Sequence, residues 1–212
     1  MGSGSNTRLS IYFGGTFDPP TRAHLAVANR VSQVFDCPVI WLPNAQSPLK
    51  SQINAGEHRI KMIQLLCQLE PRFELSRIDF DRPGPSYTVD TLEHLQSQAS
   101  EQRLLWVMGA DNFAQIQCWD RWPRLLELAN LIVLNRPGHR IVPPAPWVEY
   151  QCRHDQVVQA PKGWCELELT PMDVAASQVR HAIQNHQAWE HWVPAPVIDY
   201  IKDNHLYVEN NG

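Results

Sequence analysis

The chain has no CxxC pair, no run approaching the ~18 apolar residues of a membrane span, no excess of basic charge, and neither a GxGxxG nor a GxxxxGK(S/T) element. Each absence removes a class. The five cysteines (Cys37, Cys67, Cys118, Cys152, Cys165) are odd in number and far apart, which argues against a disulfide framework or a zinc ribbon and fits a reducing cytoplasm. A net charge of -4, with 18 scattered Lys and Arg, leaves no basic footprint for nucleic acid or a membrane surface. Any phosphate ligand is then small and held locally. The missing glycine patterns remove a dinucleotide-dependent dehydrogenase and a Walker-type nucleoside triphosphatase. Internal repeats and low-complexity tracts are also absent. The first seven residues, MGSGSNT, lack the parts of a signal peptide and read as a disordered leader.

What is present is a chain of 212 residues, 43% apolar, enough to bury one substantial core, so one domain is expected over residues 8–212. Continuous apolar runs at residues 9–13, 38–42, 104–108 and 131–134 read as strands covered on both faces, with the short FEL of residues 73–75 as a further one. Between them, residues 21–35, 57–69 and 88–97 carry apolar side chains at i, i+3, i+4 spacing, as do ASQVRHAIQ and APVIDYIKDN late in the chain. Strands alternating with helices predict an α/β fold. The expected form is a Rossmann-like, doubly wound, mostly parallel sheet with helices on both faces and a small C-terminal helical part at about 171–207. Residues 137–163, rich in proline, read as an irregular surface excursion.

In such a sheet ligands bind beyond the carboxyl ends of the strands, which directs attention to SIYFGGTFDPPTRAHLAVA. Gly14 and Gly15 end the first strand, where a missing Cβ permits positive φ and close approach of a ligand. The helix starting near Thr21 offers N–H groups and a dipole to an anion. Thr21 and His24, at i and i+3, share a face and can both donate to phosphate oxygens. His24 also lines up with Ala28, Val31 and Phe35, the spacing of a histidine at the rim of a core, so spacing alone leaves both roles open. The late histidines His181, His186 and His191 recur every five residues and do not share one helix face.

Seven segments, in order, resemble those of the bacterial nicotinate mononucleotide adenylyltransferases, in the nucleotidyltransferase superfamily with an (H/T)xGH motif. GGTFDPPTRAH resembles GGTFDPxHxGH, and LPNAQSPLK, GPSYTVDTL, MGADNF, CWDRW, LNRPG and VAASQVR resemble the family's later motifs. The resemblance implies that Gly14, Gly15, Thr16 and Phe17 form the nucleotide loop, with Thr21 and His24 on the ATP phosphates. It implies that Asp111, after Gly109, contacts the ribose, that Ser177 and Arg180 hold the phosphates from the opposite side, and that Arg136 lies near ATP. Asn44, Lys50, Ser86, Tyr87, Thr88 and Trp119 would build the mononucleotide pocket, Trp119 against the pyridine ring and amides near Tyr87 and Thr88 on its carboxylate. His24, Thr21 and Arg180 would be the catalytic group.

The implied reaction is direct in-line transfer of the adenylyl group from ATP to nicotinate mononucleotide, giving deamido-NAD and pyrophosphate within NAD biosynthesis. Mg²⁺ would be held mainly by the ATP phosphates. Four positions depart from the family pattern: Thr21 for His, Ala23 for Gly, Leu49 for His and Ala175 for Ser. The first occurs in the pantetheine-phosphate branch, which keeps a phosphopantetheine adenylyltransferase as a rival reading. A nucleotide-binding regulatory protein without turnover is another. The oligomeric state stays open between monomer and dimer.

Overall fold

A computed structural model describes residues 9–46, 56–98, 102–135, 140–170 and 172–208. Six strands, β1 (Leu9–Gly15), β2 (Val39–Pro43), β3 (Phe73–Leu75), β4 (Arg103–Gly109), β5 (Asn130–Asn135) and β6 (Trp164–Glu168), form one sheet in the order β3-β2-β1-β4-β5-β6. Every pairing is parallel, so the sheet is wholly rather than mostly parallel. β1 pairs with β2 on one side (Ile11 opposite Val39) and with β4 on the other (Ile11 opposite Leu105). The strand order reverses between β1 and β4, and their carboxyl ends flank the crevice where open α/β sheets bind ligands.

Side chains alternate between two cores because successive Cβ atoms point to opposite sides of a strand. Ile11, Phe13, Val39, Trp41, Leu105 and Val107 face one side, under α1 (Arg22–Phe35), α2 (Gly56–Leu69), α7 (Ala176–Gln184) and α8 (Ala195–Asp203). Tyr12, Leu42, Leu104, Trp106, Leu131 and Val133 face the other, under α3 (Thr88–Gln98), α4 (Ala110–Ala114) and α5 (Leu125–Leu128). Each fully buried branched side chain among these contributes about 1.5–3 kcal/mol. The C-terminal helices share the first core, through Val179, Val197 and Ile201.

The strand and helix expectations hold, and one strand goes unanticipated. β6 extends the sheet beyond β5; its sequence WCELE mixes glutamates with apolar residues, as an edge strand can. The proline-rich excursion contains a 3₁₀ segment (Ala145–Tyr150) that buries Trp147, and a short helix, α6 (His154–Val157). It therefore packs against the second core through Trp147. Residues 1–7, read as a leader, lie outside the described residues.

Candidate active site

The turn after β1 is shaped by aromatic packing. Gly14 and Gly15 do not adopt positive φ; among the described glycines that conformation belongs to Gly84, while in the turn it belongs to Phe17 (φ 51°). A Cβ on Gly14 would stand 2.2 Å from the Trp106 indole, and one on Gly15 2.8 Å from the Phe17 ring. The two glycines thus make room for neighbouring rings, and the positive φ that a missing Cβ would permit is not used at either. Phe17 is buried and packs edge-on against His24 (centroids 5.2 Å, interplanar 82°).

Thr21 is the N-cap of α1 and is fully buried. Its amide donates to His24 Nδ1 at 3.0 Å, its hydroxyl lies 3.0 Å from the same nitrogen, and the His24 amide donates back to Thr21 Oγ1 at 3.5 Å. This is a capping box in which histidine takes the place usually held by Glu or Gln. An amide only donates, so Nδ1 is the acceptor and the ring hydrogen sits on Nε2. Thr21, expected on the phosphates, here orients the imidazole.

The loop after β2 is bound to this turn. Asn44 N donates to Gly15 O at 3.0 Å, and Asn44 Nδ2 to Thr16 Oγ1 at 3.5 Å. Ser86 Oγ accepts from the amides of Ala45 (3.0 Å) and Gln46 (3.3 Å), while its own amide donates to Gln46 O at 2.9 Å. The Ser86 hydroxyl, expected at the mononucleotide, is a clasp between two loops. Tyr87 and Thr88 follow at the start of α3, whose first amides lack intrahelical partners. The Tyr87 amide is spent on Pro85 O at 3.1 Å.

Half-buried Trp119 packs against the second core, as does Tyr87. Its loop is tied to α3 by Arg121, which bonds Asp120, Glu93 (3.1 Å) and Asp90. Hydrogen bonds to Asp120, then Asp90, raise the Arg121 pKa above its usual value. At the end of β4, a Cβ on Gly109 would meet Asp111 Oδ1 at 2.5 Å, so the exposed Asp111 side chain folds over that glycine.

From α7, Arg180 donates through Nη1 to Asp18 O at 2.6 Å, and Asp18 Oδ2 lies 4.0 Å from the same nitrogen. Ser177, one turn earlier in the helix, is exposed. Lys50 and Arg136 lie outside the described residues. The structure therefore gathers Gly14, Gly15, Thr16, Phe17, Thr21, His24, Asn44, Ser86 and Arg180 into one bonded or packed assembly. Asp111 and Ser177 are both exposed.

Three participants escape sequence reasoning. Arg59 is 1% exposed and donates to the carbonyls of Thr16 (3.0 Å), Asn44 (2.7 Å) and Ala45 (3.1 Å), binding both loops from beneath. Burial lowers its pKa, opposed chiefly by the charge of Asp18. Its signal was a charged residue on the buried stripe of α2, in register with Met62, Ile63 and Leu66. Asp18, 2% exposed, and Tyr207, 7% exposed, are the others; Tyr207 OH donates to Asp18 Oδ1 at 2.8 Å. Nothing local announces a contact between residues so distant in the chain. A separate hollow of about 540 Å³ at the ends of α7 and α8, lined by Trp189 and Lys202 among others, contains none of these groups.

This fold and turn define a nucleotidyltransferase class: the family model for Cytidylyltransferase-like proteins matches residues 12–188. A "Probable nicotinate-nucleotide adenylyltransferase" of Geobacillus thermodenitrificans is 33% identical over 198 residues, covering 92% of this chain and 84% of the relative. One of Leifsonia xyli is 32% identical over 205 residues, covering 96% and 95%. The chain belongs to the nicotinate-nucleotide adenylyltransferase family, within the cytidylyltransferase-like proteins. The Plasmodium falciparum nicotinic acid mononucleotide adenylyltransferase complexed with NaAD shares the fold, with a TM-score of 0.75 at 17% identity over 94% of this chain and 97% of that one. The same enzyme complexed with APC aligns with a TM-score of 0.73 at 16% identity.

Proposed function

We propose that this chain joins ATP and nicotinate mononucleotide to give deamido-NAD and pyrophosphate. The observation that carries the reading is the convergence of an oriented imidazole, His24, and a guanidinium, Arg180, on the β1–α1 turn at the point where strand order reverses. A phosphate oxygen of the mononucleotide attacks the α-phosphorus of ATP, and the bond from that phosphorus to the bridging oxygen breaks as pyrophosphate leaves. The nucleophile is already ionised near neutral pH, so no general base is required and catalysis reduces to alignment and charge stabilisation.

Each residue takes the part that the family's motifs imply for it. His24 donates from Nε2 to the developing negative charge, since Nδ1 is engaged by the Thr21 cap. Arg180 faces the phosphates from α7, with Ser177 a turn earlier. The resemblance assigns Asp111 to the ribose and Arg136 to ATP. The indole of Trp119 lies against the cationic pyridine ring, and the first amides of α3, beside Tyr87 and Thr88, receive its carboxylate. Asn44 and Ser86 shape that pocket by holding the loops, and the resemblance assigns Lys50 to the same pocket. Among the described residues no three His, Cys, Asp or Glu side chains stand close enough to hold a metal. A Mg²⁺ carried by ATP oxygens and water would neutralise charge on the leaving group.

The reading treats residues 8–212 as one unit, because the first core is built jointly from β1 through α8. It places the enzyme in the cytoplasm, supported by five cysteines none of which forms a disulfide. No helix among the described residues is long and apolar enough to cross a membrane. One assay tests the reading. Purified protein with ATP and Mg²⁺ is offered nicotinate mononucleotide, nicotinamide mononucleotide and phosphopantetheine in parallel, and pyrophosphate is measured. Fastest release with nicotinate mononucleotide is expected; release with phosphopantetheine alone, or with none of the three, overturns it.

A further inference from the structure

The end of α8 holds an unusual backbone. Asn204 is its C-cap; the His205 amide donates to Lys202 O at 3.2 Å and the Leu206 amide to Ile201 O at 3.0 Å. These two bonds make a Schellman motif, which requires the left-handed conformation found at His205 (φ 48°). The motif is complete at that point, with Leu206 buried beside the helix. Tyr207 is nevertheless also left-handed, at φ 66°. A bulky residue in that region is costly and persists only where its surroundings over-determine it.

What this conformation accomplishes is visible at the other end of the side chain. The buried Tyr207 hydroxyl reaches Asp18, 189 residues earlier, and donates to Oδ1 at 2.8 Å. Asp18 follows Phe17, itself left-handed at φ 51°, so left-handed backbone stands at both ends of the contact. The other carboxylate oxygen of Asp18 is the one lying 4.0 Å from Arg180 Nη1, whose hydrogen bond goes to the Asp18 carbonyl at 2.6 Å. A single buried aspartate thus joins the β1–α1 turn, the guanidinium of α7 and the segment after α8. The pull is directional: one carboxylate oxygen is held by the phenol, which aims the other at the arginine.

We propose that Tyr207 is a positioning residue for adenylyl transfer. It fixes Asp18, and through Asp18 sets where the Arg180 guanidinium stands relative to the turn that carries His24. The idea rests on the function proposed above, since it assigns Arg180 to the triphosphate.

A double-mutant cycle tests it, with kcat, KM for each substrate, affinity for a non-hydrolysable ATP analogue and Tm measured for each protein. Tyr207→Phe removes only the hydroxyl and is expected to lower kcat about tenfold, the scale of one lost charge-assisted bond, while KM for nicotinate mononucleotide stays within twofold. Tm should fall by no more than about 4 °C. In an Arg180→Ala background the same substitution should cost less than twofold, because the group it positions is gone. Asp18→Asn, which keeps an acceptor for the phenol but removes the charge beside Arg180, should lower kcat at least as far as Tyr207→Phe. A full tenfold loss from Tyr207→Phe in the Arg180→Ala background, or wild-type kcat in the single variant, overturns the proposal. If the wild-type protein releases no pyrophosphate with any acceptor, the functional reading fails, and the cycle is read on analogue affinity. Non-additive weakening there still supports the Tyr207–Asp18–Arg180 linkage, and additive weakening overturns it.

Discussion

At the scale of single residues, the site is governed by side chains that hold its other parts, ring or backbone, in place. Thr21 is spent on the His24 ring, Ser86 on two amides, and Arg59 on three carbonyls. A histidine oriented in this way acts as a fixed donor, which costs no reorganisation when charge develops. His24→Ala is therefore expected to lower kcat by roughly 10²- to 10³-fold, the loss seen when one transition-state donor is removed, with circular dichroism unchanged. Turnover within a few-fold of wild type in a folded variant would take His24 out of the chemistry. The sequence pattern placed Thr21 and His24 on one helix face correctly, since i and i+3 are neighbours. It could not say that the first would be consumed in orienting the second, because a cap and a ligand donor require the same residue types at the same spacing. Likewise a pair of glycines looks the same whether backbone conformation or an opposing indole demands it, and only the position of Trp106 decides.

At the scale of elements, strands and loops differ in how openly their sequences declare them. β1, β4 and β5 are buried on both faces and read as continuous apolar runs. β6 is the last strand of the sheet, paired along its length with β5 and bridged at Trp164 to Gln151, and its glutamates break the pattern. The loop carrying Trp119 is a different case, held by charge as well as by packing: Arg121, itself left-handed (φ 44°), ties it to the carboxylates of α3. Trp119→Ala should raise KM for nicotinate mononucleotide about tenfold, the scale of a desolvated cation–π contact, and leave KM for ATP unchanged. Arg121→Ala should raise the same KM only about two- to fivefold, as exposed ion pairs are weak. Its gap from wild type should close in 1 M salt, where the screening length is about 3 Å. An unchanged KM in the tryptophan variant would mark that ring as core packing.

At the scale of the whole molecule, the two cores are uneven in what they conceal. The first buries the Cys165 thiol, pushing its pKa up to about 12 by desolvation, and burial, then Glu74, pushes that of Cys67 up to about 11. In an unfolded chain a thiol ionises near about 8.5. Between those values the folded protein retains protons that the unfolded chain has released, so stability is full below about pH 8.5 and declines as pH rises. The urea midpoint should therefore fall between pH 8 and pH 10.5, and fall less in a Cys67→Ala/Cys165→Ala double variant. Equal declines in both proteins would show that other groups control alkaline unfolding. The architecture as a whole was legible, because alternation of strands and helices survives in the order of apolar runs. The fastening of Asp18 by Tyr207 was not, since it joins two residues 189 apart through atoms that leave no periodic trace. That separation has a consequence for biosynthesis. At ribosomal speeds of about 5–20 residues per second, roughly 10–40 s elapse between translation of the aspartate and of the phenol that clasps it. Throughout that interval the nascent chain carries an acidic group destined for the interior with its phenolic partner still unmade, so this contact is completed only once the segment after α8 has emerged.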